Sequence, residues 1–153
     1  MARALVIYAT RTGNTRAIAV SISDGLREAG AEVKIVDAND VTNESDIAGY
    51  DVYLFGSPTY HGEMLQTMKT FLFTAERANL QGKVGGAFGS YGWSGEAPTR
   101  IYDTMKNLYR MEMVDSALRI QVPVLPERLQ KTSQAYGREA GKKARGKSLA
   151  TRC

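Results

Sequence analysis

With 153 residues, 43% hydrophobic and 24% charged, the chain holds enough apolar material for one packed domain; it is too short for two, and its charged share excludes global disorder. No apolar run reaches the roughly 18–20 residues needed to cross a bilayer, and the segment after Met1-Ala2-Arg3 is too short for a secretion signal. The net charge of +4 is unevenly placed: residues 127–152 carry eight Lys/Arg against two Glu, and residues 1–126 carry twelve against fourteen acids. This basic excess reads as the solvated face of a last helix plus a basic tail over 147–153, behind a domain at 1–146. Nucleic-acid binding and membrane insertion are not expected. The single cysteine, Cys153, leaves no disulfide framework within a monomer, so a monomeric cytoplasmic protein is expected.

Apolar runs alternate with helical patterns along the chain. Ala4-Leu5-Val6-Ile7-Tyr8 is a continuous apolar run, as in a strand buried on both faces. Ile18, Ile22, Leu26 and Ala29 follow at helical spacing, and Gly30 supplies the stop. Val33–Asp37 predicts a second strand and Asp51–Gly56 a third, with only a weak helical signal between them. Leu65, Met68, Phe71, Leu72 and Ala75 form the next helical stripe, before a glycine-rich fourth strand at Lys83–Gly89. Ile101, Met105 and Leu108 mark another helix, and Ala117–Val122 a fifth, uninterrupted strand closed by Pro123 and Pro126. A last helix is expected from about Glu127 to about Gly146. Strands joined by helical crossovers imply a doubly wound α/β domain with a parallel sheet and helices on both faces.

In such a sheet, ligands bind beyond the carboxyl ends of the strands, and three loops there have an unusual composition. Thr10-Arg11-Thr12-Gly13-Asn14-Thr15 brings hydroxyls, an amide and free backbone N–H groups to a helix N-terminus, which suits a phosphate. It matches neither Gly-x-x-x-x-Gly-Lys-Ser/Thr nor Gly-x-Gly-x-x-Gly. Ser57-Pro58-Thr59-Tyr60-His61-Gly62-Glu63 and Ser90-Tyr91-Gly92-Trp93-Ser94-Gly95 place large aromatic rings beside glycines, where they can cover the faces of a planar ligand. His61, the sole histidine, has no companion ligands at metal-binding spacing, so no metal site is expected. A response-regulator-like domain would need clustered acids where Tyr8-Ala9-Thr10 stands, and a lysine where Val122-Pro123 stands.

The segment Tyr8–Thr15 resembles the phosphate signature of the flavodoxin family, and the resemblance extends to about Ala144. Gly56–Thr59 and Ala87–Trp93 are also similar to the flavodoxin domains of flavodiiron proteins. The resemblance implies a flavodoxin-like five-stranded sheet of order 2-1-3-4-5, similar to the short-chain class, with FMN as cofactor. It implies that Thr10, Thr12, Asn14 and Thr15 donate side-chain bonds to the phosphate, joined by N–H groups of Arg11 and Gly13. The Arg11 side chain either pairs with the phosphate or points to solvent. Tyr60 and Trp93 would flank the isoalloxazine, while backbone near Ser57, Thr59, Ser90 and Gly95 lines the ribityl chain and ring edge. Pro58, Tyr91 and Gly92 complete these loops, and Glu63 stands where some members set a carboxylate against the flavin N3–H. A type II turn at Tyr60–Glu63, with positive φ at Gly62, would present the His61 carbonyl to a reduced flavin. The implied function is low-potential electron transfer between redox proteins with a stabilised neutral semiquinone. An FMN-dependent reductase of quinones or similar substrates is the alternative.

Overall fold

The computed structural model describes residues 2–152, with side chains described through Lys147; Cys153 lies outside the described residues. Strand β1 (Arg3–Tyr8) leads into helix α1 (Asn14–Glu28) and strand β2 (Glu32–Asp37). Two short 3-10 turns, Ala38–Asp40 and Glu44–Ile47, stand where the sequence carried only a weak helical signal. Strand β3 (Val52–Gly56) is followed by the small hairpin β4 (Thr59–Tyr60) and β5 (Glu63–Met64), then helix α2 (Gln66–Glu76). Strand β6 (Val84–Tyr91) precedes helix α3 (Glu96–Asp103), which continues as one π-helical segment over Thr104–Leu108. Strands β7 (Glu112–Met113) and β8 (Leu118–Gln121) lead to helix α4 (Pro126–Arg152), which is continuous past the expected end near Gly146.

The main sheet is parallel in the order β2-β1-β3-β6, and β7 and β8 both pair with β6. This is the flavodoxin-like order, with one correction: the fifth position holds two short strands rather than one uninterrupted strand. The backbone between them has other partners. Tyr102 donates its hydroxyl to the carbonyls of Val114 and Asp115, and Tyr136 to that of Ser116. Both hydroxyls come from helices packed alongside, α3 and α4, and the strand breaks there.

Alternation along the strands divides the core in two. Leu5 and Ile7 of β1 and Tyr53 and Phe55 of β3 face the side covered by α2 and α3. Ala4, Val6, Val52 and Leu54 face the side covered by α1 and α4. A strand buried on both faces must be apolar at successive positions, which is why β1 reads as an unbroken run. The methionines Met68, Met105 and Met111 are buried in the first of these layers.

Helices α1 and α4 approach closely because glycines stand on both facing surfaces. A Cβ added at Gly25 would lie 2.0 Å from the Gln134 carbonyl oxygen, and one at Gly137 would lie 2.0 Å from that of Ile22. Alanine in a helix interior is ordinarily favoured over glycine by about 1 kcal/mol, whereas overpacking a close contact costs about 1–3 kcal/mol. Contact should prevail here, because both clashes are with backbone. Gly137→Ala is expected to lower the urea unfolding midpoint with an unchanged slope; an equal or higher midpoint would show that the helices separate freely.

Candidate functional site

Neighbours β1 and β3 lead the chain to opposite sides of the sheet, so the crevice of the fold opens beyond their carboxyl ends. Backbone bonds carry the ladder past the strands there: Ala9 N–H donates to the Gly56 carbonyl at 2.9 Å, and Ser57 N–H to that of Phe88 at 3.1 Å. The Thr10–Thr15, Ser57–Glu63 and Ser90–Gly95 loops are thereby brought side by side.

The first of these loops closes on itself. Gly13 N–H donates to Thr10 Oγ1 at 3.0 Å, and Asn14 Nδ2 to Thr12 Oγ1 at 3.3 Å. Gly13 has φ 91°, a left-handed value that turns the chain into α1. No side chain caps α1 and no acid stands in its first turn. The leading N–H groups of this helix therefore have no intrahelical acceptor, and its positive end is uncompensated. A doubly charged phosphate fits this combination of free donors, hydroxyls and dipole. Thr15 has a second task, since its buried hydroxyl shares a 3.1 Å hydrogen bond with that of Ser90, tying the loop to β6.

In the second loop the hydroxyls serve the protein itself. Ser57 Oγ donates to the Pro58 carbonyl and accepts from Leu65 N–H, and Thr59 Oγ1 accepts from Ala97 N–H at 2.9 Å. Both hydroxyls are thereby engaged in holding the loop to its own chain and to α3. The turn itself departs from expectation. Both His61 (φ 52°) and Gly62 (φ 75°) have positive φ, which is the pattern of a type I′ turn and not of type II. Two-residue turns between antiparallel strands favour this primed geometry because it matches the strand twist, and β4 and β5 pair directly across it.

Glu63 has partners within the protein. Its carboxylate is ion-paired with Lys69 of α2 and, at 2.7 Å, with Arg100 of α3. The Lys69 hydrogen bond and charge, aided by Arg100, hold its pKa below the ordinary 4.5. The two cations pin the hairpin to both helices on that face. Beside the turn stands Glu96, whose Oε2 lies 3.0 Å from where a Gly62 Cβ would be and accepts from Ser94 Oγ. Lys69, Arg100 and Glu96 carry no sequence signal, because their partners in the hairpin stand 6 to 37 positions away along the chain.

The aromatic rings are placed differently from one another. Trp93 is 97% exposed, so nearly its whole indole is free. Tyr60 is half-buried, and the Arg11 guanidinium lies over its ring at 5.0 Å from the centroid. The Arg11 side chain is thus neither at the phosphate loop's donors nor directed only into solvent. Arg119 of β8 covers Tyr91 in the same way at 5.4 Å, and its Nε would lie 2.8 Å from a Cβ at Gly95. Gln121 Nε2 reaches the Gly92 carbonyl at 3.4 Å, so β8 supports the whole third loop.

An uncapped, acid-free helix start opens between two ring-bearing loops, an arrangement that a planar cofactor carrying a phosphate would fit. Residues 6–135 match the family model described as Flavodoxin, and the chain belongs to the flavodoxin family, which binds FMN. It is 43% identical over 93 residues to a flavodoxin of Megasphaera elsdenii, covering 60% of this chain and 67% of that one. It is 33% identical over 138 residues to an NAD(P)H dehydrogenase (quinone) of Rhodopseudomonas palustris strain TIE-1, covering 74% of this chain and 69% of that one. The structure of a flavodoxin from the domain Archaea superposes with a TM-score of 0.87 at 34% identity, covering 94% of this chain and 99% of that one. Against two longer flavoproteins the chain spans 18% and 31% of their length. Among the described residues, no helix is long and apolar enough to cross a membrane.

The Glu63 ion pairs set a pH dependence. Because its folded-state pKa is depressed, the pairing contributes fully above the ordinary 4.5 and is lost as pH falls through the lower folded value. Amide NMR shifts of Gly62 and Met64 should therefore titrate as pH is taken from about 6 to about 3. Glu63→Gln should remove that step; a step that survives would assign it to another group.

Proposed function

We propose that this chain is a monomeric cytoplasmic electron carrier. It holds FMN by its phosphate at Thr10–Thr15, sets the ring system between Tyr60 and Trp93, and exchanges electrons with larger redox proteins. The observation that carries this reading is the start of α1, with no side-chain cap and no acid, opening beside a Trp93 that is 97% exposed. FMN supplies the redox chemistry when bound; the chain supplies its environment. Thr10, Thr12 and Asn14, with N–H groups of the loop, would bind the phosphate, and Thr15 would contribute while bonded to Ser90. Tyr60 and Trp93 would keep water from the ring faces. Desolvation between them and the nearby phosphate both disfavour extra negative charge, which lowers the potential for the second electron.

The hairpin tip would act on the ring's N5 edge. The I′ turn does not itself present the His61 carbonyl as a type II turn would; to face a flavin N5–H, the His61–Gly62 peptide would have to rotate, which the glycine at position 62 permits. A carbonyl so placed would hold a proton at N5. Glu63, held by Lys69 and Arg100, would meet the N3–H edge only as a shared acceptor.

A flavin-dependent quinone reductase is the second reading, favoured by the 33% identity to the Rhodopseudomonas enzyme. Such an enzyme needs a substrate pocket beside the flavin. Here the flanking loops are short and nothing in the described chain covers Trp93, which favours electron exchange at an open edge. Stepwise dithionite reduction of the FMN-loaded protein is expected to pass through a long-wavelength absorption band. Gly62→Val, strained at φ 75° and crowded by Glu96, should diminish that band. Direct passage from oxidised to fully reduced would overturn the turn argument. Rapid NAD(P)H oxidation with a quinone and no added reductase would replace the carrier by the enzyme.

A further inference from the structure

Arg11 is the one charged side chain of the phosphate loop. Its side chain leaves that loop and crosses to the next one, where the guanidinium lies over the Tyr60 ring, 5.0 Å from the centroid. Among the described residues no carboxylate is ion-paired with it, so the charge is not cancelled locally. No Asp or Glu occurs between Met1 and Ser23; of the acids at the hairpin, Glu63 is shared by Lys69 and Arg100, and Glu96, beside the turn, accepts from Ser94. The guanidinium suits this position because it is planar, weakly hydrated and charged at every working pH.

We infer that Arg11 acts through Tyr60 as a charge layer behind the flavin, favouring its doubly reduced state and so raising the potential at which the second electron enters. The inference rests on the reading that Tyr60 covers one face of FMN. A flavin stacked within about 4 Å on the face of Tyr60 opposite Arg11 would stand about 9 Å from that charge. That is close to the screening length at physiological salt. Uptake of two electrons, from a protein donor or from dithionite, and of one proton leaves a net charge of −1 on the ring system. A fixed cation favours that anion over the neutral one-electron form, and favours the neutral states equally among themselves. The effect therefore falls mainly on the second electron. It opposes the phosphate and the desolvation, which push that potential down.

A positioning role has a second consequence. By bridging the two loops, Arg11 holds Tyr60 in place before the cofactor arrives; this part depends on planarity and not only on charge. Lysine keeps the charge but loses the planar contact, and glutamine keeps polarity but loses the charge. The pair separates the two effects.

The test uses the full chain loaded with FMN, wild type beside Arg11→Gln and Arg11→Lys, with both one-electron potentials measured by dye equilibration at low and high salt. Arg11→Gln should shift the second equilibrium against the reduced form by about three- to tenfold at low ionic strength, a tenfold change being about 59 mV for one electron. The first step should move less. Arg11→Lys should retain most of the wild-type value, and the difference between wild type and Arg11→Gln should collapse near 1 M salt, where screening acts within about 3 Å. Equal second potentials in wild type and Arg11→Gln at low salt would overturn the inference alone. A shift shared by Arg11→Lys and insensitive to salt would overturn it in favour of a purely structural role. Failure of the wild-type chain to take up FMN, read as absence of flavin fluorescence quenching, would overturn it together with the carrier reading.

Discussion

The first turn of α1 sets the terms for the rest of the molecule. Its N–H groups have no acceptor in the helix, no side chain caps them, and no acid offsets the positive end of the dipole. In most helices one serine or aspartate would settle this locally at a gain of about 1 kcal/mol. Here the cap position is Gly13 in a left-handed conformation, and the neighbouring hydroxyls bond within the loop instead. The donors are left without a partner in the protein, and a phosphate monoester would suit them.

The other two loops are arranged around that point by the sheet. Adjacent β1 and β3 open the crevice, and β6 brings the third loop alongside through the buried Thr15–Ser90 hydrogen bond. Rigid supports hold each loop: Ser57 and Thr59 are bonded to Leu65 and Ala97, Glu63 to Lys69 and Arg100, and the Tyr91–Gly95 loop rests on Arg119 and Gln121. What stays unsupported is the indole of Trp93, which has no protein neighbour to satisfy. A site of this kind gains precision from hydrogen bonds in its supports.

Arginine is used at this site in an unusual way. Two of the three guanidinium-on-ring contacts in the described residues fall on site loops, Arg11 on Tyr60 and Arg119 on Tyr91. In both cases the cation links a loop to another element while remaining in contact with water, which is where such pairs contribute about 0.5–1 kcal/mol each. The basic residues of α4 serve elsewhere, Arg138 with Glu28 and Lys147 with Glu112 among them.

The sequence by itself determined the parallel sheet, its helical crossovers and the hydroxyl- and glycine-rich loop at the start of α1. Each of these is written in short-range terms: an unbroken apolar run for a strand buried twice over, helical stripes between such runs, and hydroxyls and glycine at a helix start. Only the tertiary structure decided what depends on residues distant in the chain. The split of the fifth strand follows from Tyr102 and Tyr136 taking the carbonyls of residues 114–116. The I′ turn at His61-Gly62 follows from the pairing of β4 with β5. The pairing of Glu63 with two cations and the placement of Arg11 over Tyr60 join loops and helices that meet only when the sheet has closed. Local pattern records which backbone groups need partners. Which partners they receive, and which charges stand beside them, is settled by the distances that folding creates.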